Sequence, residues 1–288
     1  MPELPEVEGL TLDLRTRLKD RAITRVDIAA FSALKTFDPP LSALNGTFVE
    51  DVTRHGKFLD VTTAGLHLVV HLSRAGWIRW RDEVPKLPPK PSNKSPLAAR
   101  VVLDDGSGLD ITEAGTKKRL AIYVVRDPQD IPGIATLGPD PLADDFTADV
   151  LRRILDDAGR AQIKGVLRSQ STIAGIGNAY SDELLHAAKM SPFKPASTVD
   201  DEDLAVLYGA IRRVLGEAVE RSRGLAAAEL KGEKKSNLAV HGRTGLPCPV
   251  CGDTVREVSF ADSSLQYCPT CQTGGKPLAD RRMSRLLK

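Results

Sequence analysis

The four cysteines of the chain fall in two pairs, Cys248-Pro-Val-Cys251 and Cys268-Pro-Thr-Cys271, with sixteen residues between them. Each C-x-x-C knuckle offers two thiolates from one tight turn. Two knuckles joined by a short hairpin close a tetrahedral site of the kind zinc prefers. With four sulfur ligands no position stays open for a catalytic water, so the expected role of the metal is structural. Its binding energy would help to fold a piece too small to build its own core. Two disulfides or redox-active pairs are the alternatives. No cysteine lies outside the knuckles and the N-terminus lacks the order of a secretion signal, and both facts favour zinc. A zinc ribbon constrains the fold of the C-terminal piece strongly and its function hardly at all.

The rest of the chain must therefore be placed by pattern. Its 288 residues suit two domains with an appended finger. No run of eighteen apolar residues occurs, which excludes an apolar membrane-spanning helix, and a cytoplasmic protein without a membrane partner is expected, nucleoid-associated if bacterial. Net charge is only +2, but from residue 231 to 288 ten Lys/Arg face five Asp/Glu. A basic end on a near-neutral protein fits a phosphate-facing surface, and a solvated tail fits the same charges.

Val7, Leu10, Leu14 and Leu18 repeat at helical spacing directly after the N-terminus. Strand-like runs follow at 48–52, 58–62, 66–72, 77–80, 100–103 and 120–125, with a Pro/Lys/Ser-rich loop at 82–96. Helical periodicity returns after 142, in 150–155, 162–167, 183–188 and 204–215. The expected class is α+β: an N-terminal β-sandwich with a leading helix (1–135), a helical domain (136–237), and the finger with its basic tail (238–288).

Met1 is followed by Pro2, whose small size permits removal of the initiator methionine and would expose a secondary amine. Such an amine is a nucleophile for a sugar C1′, and the iminium it forms is an electron sink for strand-cleaving elimination. Glu3 lies beside it and Glu6 one turn on. One carboxylate could protonate a sugar oxygen or leaving group while the other orients the amine. Proline and acids at a helix start are also ordinary capping chemistry.

Five blocks, in order along the chain, together resemble the formamidopyrimidine-DNA glycosylase/endonuclease VIII family. They are the opening MPELPEVE, His55-Gly56-Lys57 entering a strand, the turn-rich linker from Leu137 to Leu142, Ala174-Gly-Ile-Gly-Asn178 through Glu183, and Val240 through Cys248 with the two knuckles. The resemblance implies an N-terminal β-sandwich, a helix–two-turns–helix domain with a four-cysteine zinc finger, and DNA in the cleft between. It implies Pro2 as nucleophile, Glu3 as general acid and sugar contact, and Lys57 and Asn178 as phosphate ligands. Glycines at 175 and 177 would let backbone approach a phosphate at a helix start, and Lys164 could add charge there.

Departures from the family pattern concern damage recognition. The finger arginine that usually precedes the third zinc cysteine by five residues is Ser263 here, with Gln266 or Lys276 as candidates for compensation. The void-filling methionine after His-Leu corresponds to Arg74, and the Arg-Phe-Gly wedge to Thr116-Lys-Lys-Arg-Leu120. Arg74, Lys118 and Arg119 could stack on an orphan base or contact phosphates. A lysine-rich loop is expected at 230–237, where the family has its purine-lesion loop.

The leading expectation is thus a monomeric bifunctional DNA glycosylase/AP lyase acting on damaged duplex DNA, ending in β,δ-elimination. An AP-site lyase, a non-catalytic damaged-DNA binder and a zinc-ribbon module without a repair role are the alternatives. The lesion, the opposite base and whether 8-oxoguanine is a substrate stay open.

Overall fold

The computed structural model describes residues 1–92, 95–261 and 263–279. The basic tail residues Arg281, Arg282, Arg285 and Lys288 lie outside them. Two compact units account for the chain: residues 1–137 with 219–233, and residues 138–218 with 234–288.

In the first unit, helix α1 (Leu4–Leu18) precedes eight antiparallel strands. These are β1 (Ala22–Ile28), β2 (Thr47–His55), β3 (Phe58–Thr63), β4 (Leu66–His71), β5 (Gly76–Arg81), β6 (Leu97–Leu103), β7 (Gly108–Glu113) and β8 (Ala121–Val125). Their order is β5-β7-β6-β1-β2-β3-β4-β8. The β1–β2 seam holds only two residue pairs, so the sheet behaves as two four-stranded halves. Both halves turn apolar residues into one core: Ile78, Val101 and Ile111 from one, Val52, Val61 and Val70 from the other. Leu10, Leu14 and Leu18 of α1 fill the same core, as their helical spacing predicts. This is the expected sandwich with its leading helix.

Two strands, β1 and β7, fall outside the runs singled out by pattern. In β7 the sequence Gly-Leu-Asp-Ile-Thr-Glu is buried on both faces. Asp110 tolerates that position because Arg100 and Arg81 both donate to it, at 2.6 and 2.9 Å. Arg100 is held above its usual pKa by that hydrogen bond, against the cost of burial.

The expected loop at 230–237 is instead helix α7 (Leu230–Asn237). Long-range packing overrides a polar, glycine-containing sequence. Leu230 is fully buried and sits where a Cβ on Gly9 would lie, 2.8 Å from its Cδ2. Trp77 Nε1 donates to Ala227 O (2.9 Å), and Ala227 N donates to Asp13 (3.1 Å), which fixes the approach to the helix.

The second unit contains α3 (Ala148–Ala158), α4 (Ile163–Arg168), α5 (Asn178–Ala187) and most of α6 (Asp201–Ser222), around Leu151, Leu167, Leu184, Leu207 and Leu215. A short helix, α2 (Pro132–Ala135), ends the first unit just before the linker. Gly138 in that linker is required by close approach, since a Cβ would meet Thr172 O at 2.4 Å. The finger is a hairpin, β9 (Arg256–Ser259) and β10 (Ser264–Tyr267), followed by α8 (Pro269–Thr273).

Replacing Leu230 by alanine should cost about 2–5 kcal/mol, the range for emptying a fully buried leucine site. Urea denaturation of the two proteins measures it. A loss below about 0.5 kcal/mol, the size of a neutral surface change, would show that α7 is not anchored there.

Candidate active site and zinc centre

Pro2, Glu3 and Glu6 are all buried at the N-terminal end of α1, with Met1 half exposed before them. Glu3 is the N-cap and Glu6 the third helical residue of a capping box. Glu3 N donates to Glu6 Oε2 at 2.8 Å, and the Glu3 carboxylate accepts from the helix in return. The same bonds that start the helix therefore fix the rotamers of both acids next to Pro2.

Lys57 sits in a two-residue hairpin loop between β2 and β3, where His55 pairs with Phe58. Gly56 has φ +54, and the loop has the pattern of a turn that takes glycine at its first central position. Arg54, one residue before His55, donates to Glu8 of α1 at 2.6 Å, tying this hairpin to the helix that begins at Leu4. Lys57 is only 8% exposed. Beside it, His71 packs against Phe58 with ring centroids 4.5 Å apart. Burial, helped by the Lys57 charge, pushes His71 down to about 4, so it is neutral at physiological pH. His55 and His67 both contact the buried Asp60 carboxylate at 3.0 Å.

The wedge-equivalent loop, between β7 and β8, is organised by Glu113. Its Oε1 accepts from Arg119 N and Leu120 N at 2.8 and 3.1 Å, and its carbonyl accepts from Lys118 Nζ. Lys118 and Arg119 are exposed, as is Arg74 in the β4–β5 turn.

In the second unit, Gly175 (φ +88) and Gly177 lead into α5, which starts at Asn178. Asn178 Nδ2 donates to Ser264 O at 2.7 Å, and its Oδ1 is buried without a hydrogen-bond partner. Lys164 departs from expectation. Its Nζ donates to Asn178 O (3.2 Å), Ser181 Oγ (2.7 Å) and Asp182 Oδ1 (2.6 Å), and the residue is 5% exposed. An ammonium has three protons, so all of them are engaged inside the protein. Lys164 is a buried structural cation and not a phosphate ligand.

One face of α5 carries the finger, through contacts that pattern reading did not reveal. Asp182 Oδ2 accepts from His241 Nδ1 (2.7 Å) and Gln266 N (3.2 Å). Glu183 accepts three backbone amides, from Ala239, Val240 and His241. Burial keeps His186 below its usual pKa and so neutral, and its Nε2 lies 3.3 Å from Cys248 Sγ. The signal in the sequence was the spacing 178, 182, 186, polar residues four apart along one face of a helix that is buried along almost its whole length.

The four cysteine sulfurs lie within 4.8 Å of one another. Cys251 and Cys268 sulfurs are 3.3 Å apart and those of Cys248 and Cys271 3.9 Å. Zinc–sulfur bonds of about 2.3 Å in a tetrahedron put sulfurs about 3.8 Å apart, whereas a disulfide needs about 2.05 Å. The donor set fits zinc, and His186 would supply the outer hydrogen bond that such thiolates take. At the position that lacks the finger arginine, Ser263 closes the β9–β10 turn, its carbonyl accepting from Phe260 N at 2.8 Å. Gln266 does not compensate: its amide is engaged by Glu257, Ser264 and Gly242.

Changing Asp182 to Asn should destabilise the protein by about 3–5 kcal/mol, because Lys164 loses its buried counter-charge. Adding Lys164→Met should recover part of that loss. Denaturant midpoints measure both, and a wild-type midpoint for Asp182→Asn would refute the anchoring role. For His71 the folded pKa lies below that of the unfolded chain. Between about 6.5 and 4 the unfolded state therefore binds the extra proton, and stability falls as pH drops through that window. A His71→Gln protein should lose less stability than wild type over this window, and parallel curves would contradict the assignment.

The profile of the formamidopyrimidine-DNA glycosylase N-terminal domain matches residues 1–118, that of the formamidopyrimidine-DNA glycosylase H2TH domain residues 137–228, and that of the zinc finger found in FPG and IleRS residues 245–274. A formamidopyrimidine-DNA glycosylase of Symbiobacterium thermophilum is 36% identical over 98% of this chain and 93% of its own length. The crystal structure of the MutM (Fpg) protein from Thermus thermophilus superposes with a TM-score of 0.80 at 32% identity, covering 96% of this chain and all of that one. Wild-type Lactococcus lactis Fpg, solved with a DNA containing N7-benzyl-Fapy-dG, matches at a TM-score of 0.82 and 25% identity, over 94% of this chain and 100% of its own. The chain belongs to the formamidopyrimidine-DNA glycosylase family, DNA glycosylases with AP lyase activity.

Proposed function

We propose that this protein is a bifunctional DNA glycosylase/AP lyase of base excision repair that works through the amine of Pro2. The observation that carries the reading is the buried Pro2-Glu3 pair, locked to Glu6 by the capping box at the start of α1. Once Met1 is removed, the Pro2 nitrogen attacks C1′ of a damaged nucleotide. The N-glycosidic bond breaks, the base leaves with a proton, and the sugar ring opens to an iminium as Glu3 protonates its oxygen. Loss of the C2′ proton expels the 3′ phosphate, and a second elimination expels the 5′ phosphate. Water then releases the sugar remnant and restores the amine. Glu6 positions Glu3 and the chain terminus.

Lys57 is proposed to bind a backbone phosphate from its hairpin. Asn178 is proposed to mark a second phosphate contact at the start of α5, with its side-chain amide donor, bonded to Ser264 O here, as the group that would have to turn to it. Arg74, Lys118 and Arg119, all exposed, are proposed to meet the undamaged strand. Cys248, Cys251, Cys268 and Cys271 are proposed to hold one structural zinc ion. In this reading 1–135 carries the chemistry, 136–237 binds DNA, and 238–288 forms the finger and basic tail. The partner is double-stranded damaged DNA, bound by a monomer in the cytoplasm, at the nucleoid if the cell is bacterial. Support comes from the family's activity, from the DNA complex of the Lactococcus lactis relative, and from the lack, among the described residues, of any helix long and apolar enough to cross a membrane.

Borohydride trapping tests the mechanism on duplexes carrying an abasic site, 8-oxoguanine, an oxidised pyrimidine or no lesion. Wild type should form a covalent adduct that maps to the N-terminal peptide. Pro2→Gly should lose most of it, and Glu3→Gln should lose base excision. Adducts at abasic sites alone would reduce the activity to a lyase. No adduct from protein shown to start at Pro2 would reject the Schiff-base mechanism in favour of a non-catalytic binder.

A further inference from the structure

A second cationic site lies in the first unit, away from Pro2. Strand β5 is the terminal strand of the sheet order, and a groove of about 450 Å³ runs beside it, closed by α1 and the segment 226–231. Arg17, Trp77, Arg79, Trp80, Arg81 and Lys231 line it. Arg17 sits fourteen residues beyond Glu3 on α1, which is roughly 20 Å at 1.5 Å per residue. The groove is therefore separate from the capping-box acids.

Two of its four cations lie over aromatic faces. Arg17 lies over the Trp80 ring at 4.9 Å from the centroid, and Lys231 over the Trp77 ring at 4.4 Å. Trp77 is itself fixed by its bond to Ala227 O, and Trp80 by one to Asp82 at 2.9 Å. Two of the four cations have carboxylate partners: Arg17 pairs with Asp13, Arg81 with Asp110. Among the described residues, Arg79 and Lys231 have none, and they are close enough that the Arg79 charge, after burial, lowers the Lys231 pKa. Two exposed like charges lining one groove, one of them seated on a fixed tryptophan ring, form an arrangement that an anion between them would relieve.

We propose that this groove is a second DNA contact, in which Arg79 and Lys231 bind the phosphodiester backbone of a segment other than the damaged nucleotide. The inference rests on the protein being a DNA enzyme. The tryptophans serve to hold Lys231 and Arg17 in position. The backbone is the ligand whether it belongs to a duplex or to a single strand, because the site presents charge and not a base-reading edge.

Trp77 and Trp80 are the only two tryptophans of the chain, so its intrinsic emission reports on this groove directly. The experiment titrates the full-length protein with a lesion-free duplex and with one of its strands, at several salt concentrations. The expected result is a saturable emission change with either DNA, the stronger response identifying the preferred form. In Arg79→Glu/Lys231→Glu the affinity should fall by about tenfold or more and the salt slope by about two, one per lost cation. The uncharged pair Arg79→Gln/Lys231→Gln should lie between, and it decides the matter if the reversed pair fails to fold. Affinity within about twofold of wild type in a folded variant, or an emission change that survives it, overturns the proposal. Borohydride trapping at an abasic site should persist in the variant, because Pro2 is untouched. Failure of trapping in wild type would count against the Schiff-base reading and leave the emission result to judge the groove.

Discussion

Asp182 is wholly out of solvent, and a carboxylate is tolerated there only if both of its oxygens meet donors. They do: Lys164 on one oxygen, His241 and the Gln266 amide on the other. These donors come from α4, from the lead-in to the finger and from its hairpin, so one side chain fixes three pieces of the second unit to α5. Glu183, next along the helix, adds three amide bonds from 239–241, and His186 reaches the Cys248 sulfur of the four-cysteine cluster. Apolar burial alone would not do this. The finger's own cores are two small clusters, one around Val240 and Val255, the other around Val258, Leu265 and Tyr267. Buried ion pairs rarely add net stability, but they specify geometry, because any other docking strands a charge. A metal held by the four cysteines would stabilise the finger locally, while α5 fixes its place within the unit.

The first unit shows the opposite arrangement, in which functional candidates double as structural ones. Glu3 and Glu6 cap α1, so substituting either removes a helix start together with an acid. Lys57 occupies a turn whose neighbour, Gly56, supplies the positive φ, and Arg54 anchors that turn to α1 through Glu8. A neutral His71 behind the lysine avoids a second positive charge. These residues are held before any substrate arrives, so little reorganisation is left for the reaction.

How much of this was legible depended on whether a signal was local. The four-cysteine cluster, the apolar stripe of α1, most strands and the glycine turn at Lys57 are set by near neighbours, and pattern alone locates them. Strand β7 was not found because Asp110 breaks its apolar run, and only the two distant arginines make that aspartate acceptable inside. Helix α7 read as a loop because its stability comes from Leu230 in the space left by Gly9, more than two hundred residues away in sequence. Lys164 looked like a ligand for phosphate because nothing nearby announces Asp182 as its partner. The five ordered blocks carried the family, yet they said nothing of the hydrogen bonds that mount the finger.

With 40 basic and 38 acidic residues, the chain cannot hold DNA by overall charge. It must place cations locally on its surface, and the structure shows where they are not. Lys164 and Arg100 are buried and paired. The finger hairpin turns at Ser263 without a cation, and Gln266 beneath it has no donor to spare. Exposed cations among the described residues lie on both units: Lys117, Lys118 and Arg119 after β7, Arg74 after β4, and Arg79 and Lys231 beside β5 on the first, and Arg153, Arg160, Arg168, Lys189, Arg213, Lys235, Arg256 and Lys276 on the second. Backbone amides recognise a phosphate at short range with little dependence on salt, whereas exposed lysines and arginines act at longer range and fade as salt screens them. In the DNA contact proposed for this chain, the exposed cations would supply the attraction for the polyanion and the start of α5 the grip on a single phosphate.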